Sequence, residues 1–354
     1  LIMSVTGLSA SDDGSSAKLH TPRSKDFREA LRLQQRGMHS RSSLIFDGLS
    51  REVFSSDPEG YSILSEVIMG VDSYESRMDD YLRRNPHSVL ASQLKYRHAV
   101  NLFEAQDYES AAEVLLNVPA VHISSEDLDE YLFKKAYCAL ESGDLDRALL
   151  QFHDLVERPV SDYSAPARYS LAYIYYEKED YLEALKWFEK SAGDSRFAEI
   201  SDYYIIECHF LLQDYRYVAK HGEKVYERVS DERKPFLARV ISESFLVLGD
   251  AEKAREYYEV SVNAVNEDNS RTDWFYSGSV LYAVKDYKGA IESFCNMGAR
   301  TDSIGQVANY HLGFSYIQTK NKVAALDAFR EASSYVYDLS IAEDAHFNWA
   351  KLAF

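Results

Sequence analysis

Residues 165–192 read APARYSLAYIYYEKEDYLEALKWFEKSA, and this stretch decides the fold expected for the chain. Apolar residues recur in it at intervals of three and four, which is the spacing of one face of an α-helix. On either side of a polar break at Asp180-Tyr181, that face comprises Leu171, Ala172, Tyr175, Ala184 and Phe188. The stretch predicts two antiparallel helices joined by a tight turn, with their backbones in close contact at the alanines.

The same turn recurs along the chain at a nearly constant period. Successive turns lie 37, 36, 34, 36, 36 and 35 residues apart, at Asp107-Tyr108, Asp144-Leu145, Asp180-Tyr181, Asp214-Tyr215, Asp250-Ala251, Asp286-Tyr287 and Asn321-Lys322. A period of this length fits one helix hairpin and its turns, and its regularity is typical of a solenoid. In a solenoid each unit packs only on its neighbours, so a chain of 354 residues needs no single large core.

Small and large residues also recur in register with these turns. Each predicted second helix carries an alanine, at Ala111, Ala148, Ala184, Ala254, Ala290 and Ala325. A larger residue follows four positions later, at Leu115, Phe152, Phe188, Tyr258, Phe294 and Phe329. The first helices carry small residues at Ala99, Ala136, Ala172, Ser242, Gly278 and Gly313. This alternation predicts the same helix contact in every unit.

In these features the chain resembles the tetratricopeptide repeat family, in which an acidic-aromatic turn joins two antiparallel helices. The resemblance implies an all-α, right-handed α-solenoid of antiparallel hairpins, with about eight to nine repeats and a terminal helix. The unit around Asp214 departs from the pattern, with Ile206 and Gly222 at positions where the family has a small residue and an aromatic. We expect the helices of that unit to lie slightly apart or rotated.

The chain divides by composition into four segments. Residues 1–23 combine a short apolar stretch with a flexible lead-in rich in Ser, Asp and Gly. Residues 24–90 match the repeat weakly, and residues 91–336 hold the seven regular repeats. Residues 337–354 are expected to form the first helix of a further repeat or a cap.

The charge and cysteine content exclude some partners and leave the compartment open. The formal net charge is −18, and no basic stripe offsets it, so nucleic acid is not expected as a partner. No stretch is long and apolar enough to predict a membrane span. Cys138, Cys208 and Cys295 are expected to be small buried residues rather than disulfide partners.

The first ten residues, LIMSVTGLSA, resemble the end of a secretory signal because an apolar stretch closes on small residues. They predict export to the periplasm or the outer membrane. The alternative is a short apolar helix that packs on the first repeat of a cytoplasmic protein.

Sequence motifs for catalysis or metal binding are absent. There is no glycine-rich phosphate loop, no G-x-S-x-G elbow and no H-E-x-x-H motif, so we expect no enzyme, no cofactor and no metal site. His98 and His209 fall on inward helix faces and are expected to bond between helices. The many acidic residues sit at turns and first helical turns, where capping and the helix dipole favour them.

A row of aromatic residues on the first helices is the one feature that could bind a partner. In the repeat frame its positions face the inner, concave surface, and they are Tyr96, Phe103, Phe133, Tyr169, Tyr173, Tyr176, Tyr203, Phe210, Arg239, Phe275, Tyr282, Tyr310 and Phe314. Tyrosine offers a large, rigid contact area and a hydroxyl, which suits peptide or sugar recognition. The competing interpretation is that these residues only brace one first helix against the next.

Three functions remain open at this point. The first is a non-enzymatic scaffold that binds a protein or peptide along the concave face, similar to exported bacterial tetratricopeptide proteins of the cell envelope. The second is a glycan- or peptidoglycan-binding helical domain of a longer envelope protein, and the third is a cytoplasmic peptide-sensing regulator. The fold alone does not choose among them.

Overall fold

The computed structural model describes residues 22–51, 57–71, 73–263, 270–298 and 301–354. Within these ranges the chain folds into nineteen α-helices and one short 3₁₀-helix, with no strand, which confirms the predicted all-α class. The described residues divide into two compact units, the first ending at Ile174 and the second beginning at Tyr175. Residues 1–21 of the predicted lead-in lie outside the described ranges.

The first unit contains four hairpins and the start of a fifth. Its helices are α1 (Pro22–Gln35), α2 (His39–Ser50), α3 (Asp57–Met69), α4 (Tyr74–Arg84), α5 (Val89–Glu104), α6 (Tyr108–Leu116), α7 (Leu128–Glu141) and α8 (Leu145–Val156). The 3₁₀-helix Ala120–His122 precedes α7, and the boundary between the units falls within α9 (Ser164–Glu177). Helix α5 packs on both α6 and α7, so first helices contact each other as well as their own partners.

The second unit continues the same alternation. Its helices are α10 (Tyr181–Ser191), α11 (Ala198–Leu211), α12 (Tyr215–Tyr226), α13 (Lys234–Val247), α14 (Ala251–Asn263), α15 (Arg271–Ala283), α16 (Tyr287–Asn296), α17 (Ser303–Gln318), α18 (Lys322–Ser334) and α19 (Leu339–Ala353). Helix α11 packs on α12 and α13, and α17 packs on α18 and α19. No described helix is long and apolar enough to cross a membrane.

Each regular hairpin turn uses two residues to end one helix and start the next. In the fourth turn Gln213 has a φ of 61°, and its N–H donates to the carbonyl of Phe210 while Asp214 N–H donates to His209. This pair of bonds is a Schellman closure. The Asp214 carboxylate then accepts the N–H of Tyr217 at 3.2 Å and caps α12.

All seven turns carry the same side-chain cap, with distances of 3.1 to 3.2 Å. The capping residues are Asp107, Asp144, Asp180, Asp214, Asp250, Asp286 and Asn321. The capping role predicted for the turn acids is therefore confirmed. The residue before each cap has a positive φ, and it is glycine in two turns and Gln106, Glu179, Gln213, Lys285 or Lys320 in the others.

The small-residue register predicted from the sequence forms the centre of the helix packing. All six second-helix alanines are fully buried, as are Phe152, Phe188, Phe294 and Phe329. Burying one such phenylalanine stabilises the fold by roughly 2–3 kcal/mol. At Gly278 and Gly313 an added Cβ would lie 2.6 Å from the ring of Phe294 or Phe329, so only glycine fits against those rings.

The unit around Asp214 stays well packed because large side chains occupy its small-residue positions and a small residue occupies its aromatic position. Ile206 and Val218 are buried where the other units have small residues. Gly222 replaces the aromatic, and Ile241 of the following first helix fills the space, since it would lie 2.7 Å from an added Cβ at Gly222. The departure seen in the sequence is thus a complementary change in side-chain volume.

One cysteine differs from the prediction. Cys138 and Cys208 are buried as expected, and burial raises the pKa of the Cys138 thiol to about 11 and that of Cys208 to about 12. Cys295 is exposed, so the prediction of a buried residue is wrong there. Cys295 follows the buried Phe294 in α16, and one step along a helix turns a side chain by about 100° away from the core.

Candidate functional site

The predicted row of thirteen residues lies on the first helices of the hairpins. Twelve of its members are partly buried, so each keeps part of its side chain exposed to solvent. Tyr96 is the exception because it is only 2% exposed and offers little surface to a partner. The residues are Tyr96 and Phe103 on α5, Phe133 on α7, Tyr169, Tyr173 and Tyr176 on α9, Tyr203 and Phe210 on α11, Arg239 on α13, Phe275 and Tyr282 on α15, and Tyr310 and Phe314 on α17.

Four of these aromatics pack across the turn of their own hairpin. Each makes an edge-to-face contact with the tyrosine that begins the second helix, at ring-centre distances of 5.2 to 6.0 Å: Phe103–Tyr108, Tyr176–Tyr181, Phe210–Tyr215 and Tyr282–Tyr287. Such pairs contribute about 0.5–1.5 kcal/mol beyond the area they bury. The tyrosine of the acidic-aromatic turn is therefore a packing residue, while the aspartate beside it is the cap.

Other members of the row pack on the buried aromatic of the second helix. Phe133 lies 5.8 Å from Phe152, Phe275 lies 6.2 Å from Phe294, and Phe314 lies 5.1 Å from Phe329, measured between ring centres. These contacts support the bracing interpretation for one side of each ring. Part of each of these rings stays exposed.

Polar members of the row connect successive first helices. The Tyr96 hydroxyl donates to Glu130 at 2.9 Å, and Tyr310 donates to Asp344. Arg239 donates from Nε to Glu243 at 2.9 Å, and its guanidinium also pairs with Asp273 of the next first helix. The charge of Arg239 is thus shared by two carboxylates of the protein itself.

In the first unit, basic residues balance the negative charge of Glu130, the acid that accepts the Tyr96 hydroxyl. Glu130 lies 3.7 Å from Nζ of Lys134 and 3.9 Å from the guanidinium of Arg97. Lys134 also lies 4.2 Å from the ring centre of Phe103, a cation–π contact. Burial, followed by the charge of Glu130, raises the pKa of Tyr163 to about 12.

In the second unit, Glu207 has a different environment. It lies on α11 one turn after Tyr203. Burial raises the pKa of Glu207, while the nearby hydroxyls of Tyr176 and Tyr203 act to lower it. Sequence reasoning missed this acid because it considered aromatics alone; the available signal was its position four residues after Tyr203.

Histidine and acidic side chains form no metal site in the ranges that the structure covers. His98 bonds to the Tyr74 hydroxyl through Nδ1 at 2.7 Å, as expected for an inter-helix contact. His209 stacks on Tyr217 with ring centres 3.5 Å apart, and its Nδ1 lies 3.2 Å from the Asp214 carboxylate. Both histidines are therefore engaged in structural contacts.

A separate depression of about 420 Å³ opens between α6, α7 and α8 in the first unit. Leu116, Ala139 and Gln151 line it together with one acid and the two bases Lys135 and Arg147. This mixed lining does not favour one class of ligand. The first-helix row remains the better candidate because it recurs from repeat to repeat.

Repeated hairpins, each with a partly exposed first-helix face, define a helical repeat protein. Residues 133–199 match the family model of the tetratricopeptide repeat, which covers the unit with the most regular sequence. The hairpins on both sides of that segment carry the same caps and the same small-residue register. This segment of the chain therefore carries tetratricopeptide repeats.

Solved structures with similar architecture share little sequence with this chain. The apo form of RapI is 12% identical, with 94% of this chain and 99% of RapI covered and a TM-score of 0.48. The C-terminal part of a repeat protein from Cytophaga hutchinsonii is 16% identical, with 71% and 98% covered and a TM-score of 0.49. A tetratricopeptide repeat protein from Parabacteroides merdae is 13% identical, with 83% and 98% covered and a TM-score of 0.40. The search of curated proteins found no match.

Proposed function

We propose that the protein is a non-enzymatic scaffold that binds an extended segment of another protein along the aromatic face of its first helices. One observation carries the proposal: twelve members of the row, eleven of them aromatic, are partly buried and keep part of the side chain exposed. A partner would meet rings that are already fixed, so little side-chain freedom is lost when it binds. Each repeat contributes a small contact, and several repeats together supply the affinity.

The place of action is part of the same proposal. The apolar residues 1–10, which end on Leu8, Ser9 and Ala10, support export to the cell envelope. Fractionation of cells that express the full gene tests this point. Recovery in the periplasmic fraction is expected, and recovery with the cytosol alone would contradict it.

Panning of a random dodecapeptide library against the purified protein, with two matched tyrosine variants, tests the binding face. Tyr203 on α11 contacts Tyr204 edge to face at 5.2 Å, and Tyr226 on the second helix α12 contacts Tyr257 in the same way at 5.5 Å. Tyr203→Ala and Tyr226→Ala therefore remove the same side chain and a similar contact from opposite members of a hairpin. Both are expected to lower the melting temperature by similar amounts.

Only Tyr203→Ala is expected to weaken capture of the selected peptides. Equal binding by both variants, or equal losses, would contradict the proposed face. Failure of the wild-type protein to select any peptide, together with binding of oligosaccharides that Tyr203→Ala abolishes, would favour the glycan-binding alternative instead.

A further inference from the structure

Glu207 is the one carboxylate at its position in the repeat without a basic partner in the described ranges. The position after the first-helix small residue holds Val100, Tyr137, Tyr173, Glu207, Glu243, Ser279 and Phe314 in successive units. Only two of these residues are acidic, and they lie one repeat apart on α11 and α13. A direct comparison between Glu207 and Glu243 is therefore possible.

The two acids differ in the residue that lies one helical turn before them. Glu243 has Arg239 there, and the Nε–Oε1 distance of 2.9 Å makes an ion pair. Glu207 has the neutral Tyr203 at the corresponding position. The other side chain that acts to lower its pKa, Tyr176, is also neutral.

Nearby basic residues are engaged elsewhere. The positive charge of Arg233 acts to lower the pKa of Tyr203. The Arg233 guanidinium itself, however, donates to Ser230 at 3.0 Å and lies 3.5 Å from Glu199. No described Lys, Arg or His forms an ion pair with Glu207. A partly buried carboxylate without an ion pair keeps much of its desolvation cost, which a bound cation would offset.

The rings around Glu207 also suit a cation. Tyr204 lies 5.2 Å from Tyr203 and 5.2 Å from Tyr176 between ring centres, so three tyrosines form one cluster on the two helices that carry Tyr176 and Glu207. Tyrosine faces attract ammonium and guanidinium groups, and a carboxylate accepts charge-assisted bonds from both. The net charge of −18 would steer a basic segment toward such a surface.

We propose that Glu207, with Tyr176 and Tyr203, is the recognition point for an arginine or lysine side chain of the bound segment. This inference rests on the proposed peptide-binding function and specifies the chemistry of the partner. It predicts a cationic residue in the segment that lies over α11.

An array of capped nonapeptides tests the inference. The peptides alternate Gly and Leu and carry Arg, Lys, citrulline or norleucine at the centre. Glu207→Gln keeps the size of the side chain but removes the charge, and Glu243→Gln is the matched control at the equivalent position. The wild-type protein and Glu243→Gln are expected to bind the Arg and Lys peptides about tenfold more tightly than the neutral ones, as one charged hydrogen bond allows.

Glu207→Gln is expected to lose this preference without a lower melting temperature, because it removes a desolvated charge. Peptide binding with no preference for a cation, or a preference that survives in Glu207→Gln, would overturn the inference and leave the proposed function standing. A fall in melting temperature that accompanies the loss of binding would show a structural role and would also overturn it. If none of the peptides bound, both the inference and the proposed function would fail.

Discussion

Replacement of Gln213 by glycine is expected to stabilise the protein by about 0.5–1 kcal/mol. Gln213 holds a φ of 61° in the turn between α11 and α12, a left-handed conformation that favours glycine. That conformation costs a residue with a Cβ roughly 1–2 kcal/mol. Glycine loses about 0.5–1 kcal/mol more backbone entropy on folding, so the difference between these two costs sets the expected gain.

Two further variants isolate the backbone effect. Gln213→Ala shortens the side chain but keeps the Cβ, so its free energy of unfolding should stay within about 0.5 kcal/mol of the wild type. Gly249→Ala makes the reverse change in the next turn, where φ is 84° and no heavy atom lies within 4 Å of the added Cβ. It should therefore lose about 0.5–1 kcal/mol through backbone strain alone.

Urea titration followed by circular dichroism measures all three variants under the same conditions. The midpoint should be highest for Gln213→Gly, intermediate for the wild type and Gln213→Ala, and lowest for Gly249→Ala. A Gln213→Gly midpoint at or below that of Gln213→Ala would refute the reasoning, because the two differ only in the Cβ. The same gain should be found at Gln106, Glu179, Lys285 and Lys320, which share this conformation.

Three other predictions concern packing, capping and pH. Gly313→Ala should lower the free energy of unfolding by about 1–3 kcal/mol, because its Cβ would lie 2.6 Å from the Phe329 ring. Gly48→Ala, in a helix with no atom within 4 Å, should instead raise it by up to about 1 kcal/mol; urea midpoints that move together would contradict this contrast. Asp286→Ala removes the cap on α16 and should cost about 1 kcal/mol, while Asp286→Asn should cost much less; equal midpoints for the two variants would argue against capping. Burial beside Tyr282 lowers the pKa of His311 from 6.5 to about 4, so the neutral form stabilises the fold. The neutral His311 contributes about 3 kcal/mol to the free energy of unfolding. This contribution is fully present above pH 6.5 and is lost as the pH falls toward 4. His311→Leu should flatten the pH dependence of unfolding in that window, and an unchanged slope would exclude His311 as its source.

The repeat architecture could be predicted because every unit carries the same helical periodicity and the same capping residue. Ala148 and Ala184 are buried where the register placed them, and Asp180 and Asp214 cap the helices that follow them. A helix period and a capping residue act within a few positions of the chain, so a single sequence shows them. The positive φ at Gln213 was not predicted, since glutamine gives no sign of a left-handed turn.

Features that depend on contacts between units were harder to predict. The space left by Gly222 is filled by Ile241, which belongs to the next first helix. The environment of Glu207 combines its own helix with Tyr176 of the preceding first helix, so the sequence around Glu207 shows only half of it. The aromatic row could be located from the sequence, but which side of each ring packs on protein required the arrangement of the second helices.

Site-specific photo-cross-linking gives the most direct test of the binding face. A benzophenone side chain replaces Tyr203 on α11 in one variant and Leu182 on α10, which is 63% exposed, in another. After irradiation with a peptide selected by panning, the proposal predicts a covalent adduct from position 203 and none from position 182. Adducts from position 182 alone, or from both positions equally, would contradict binding along the first helices.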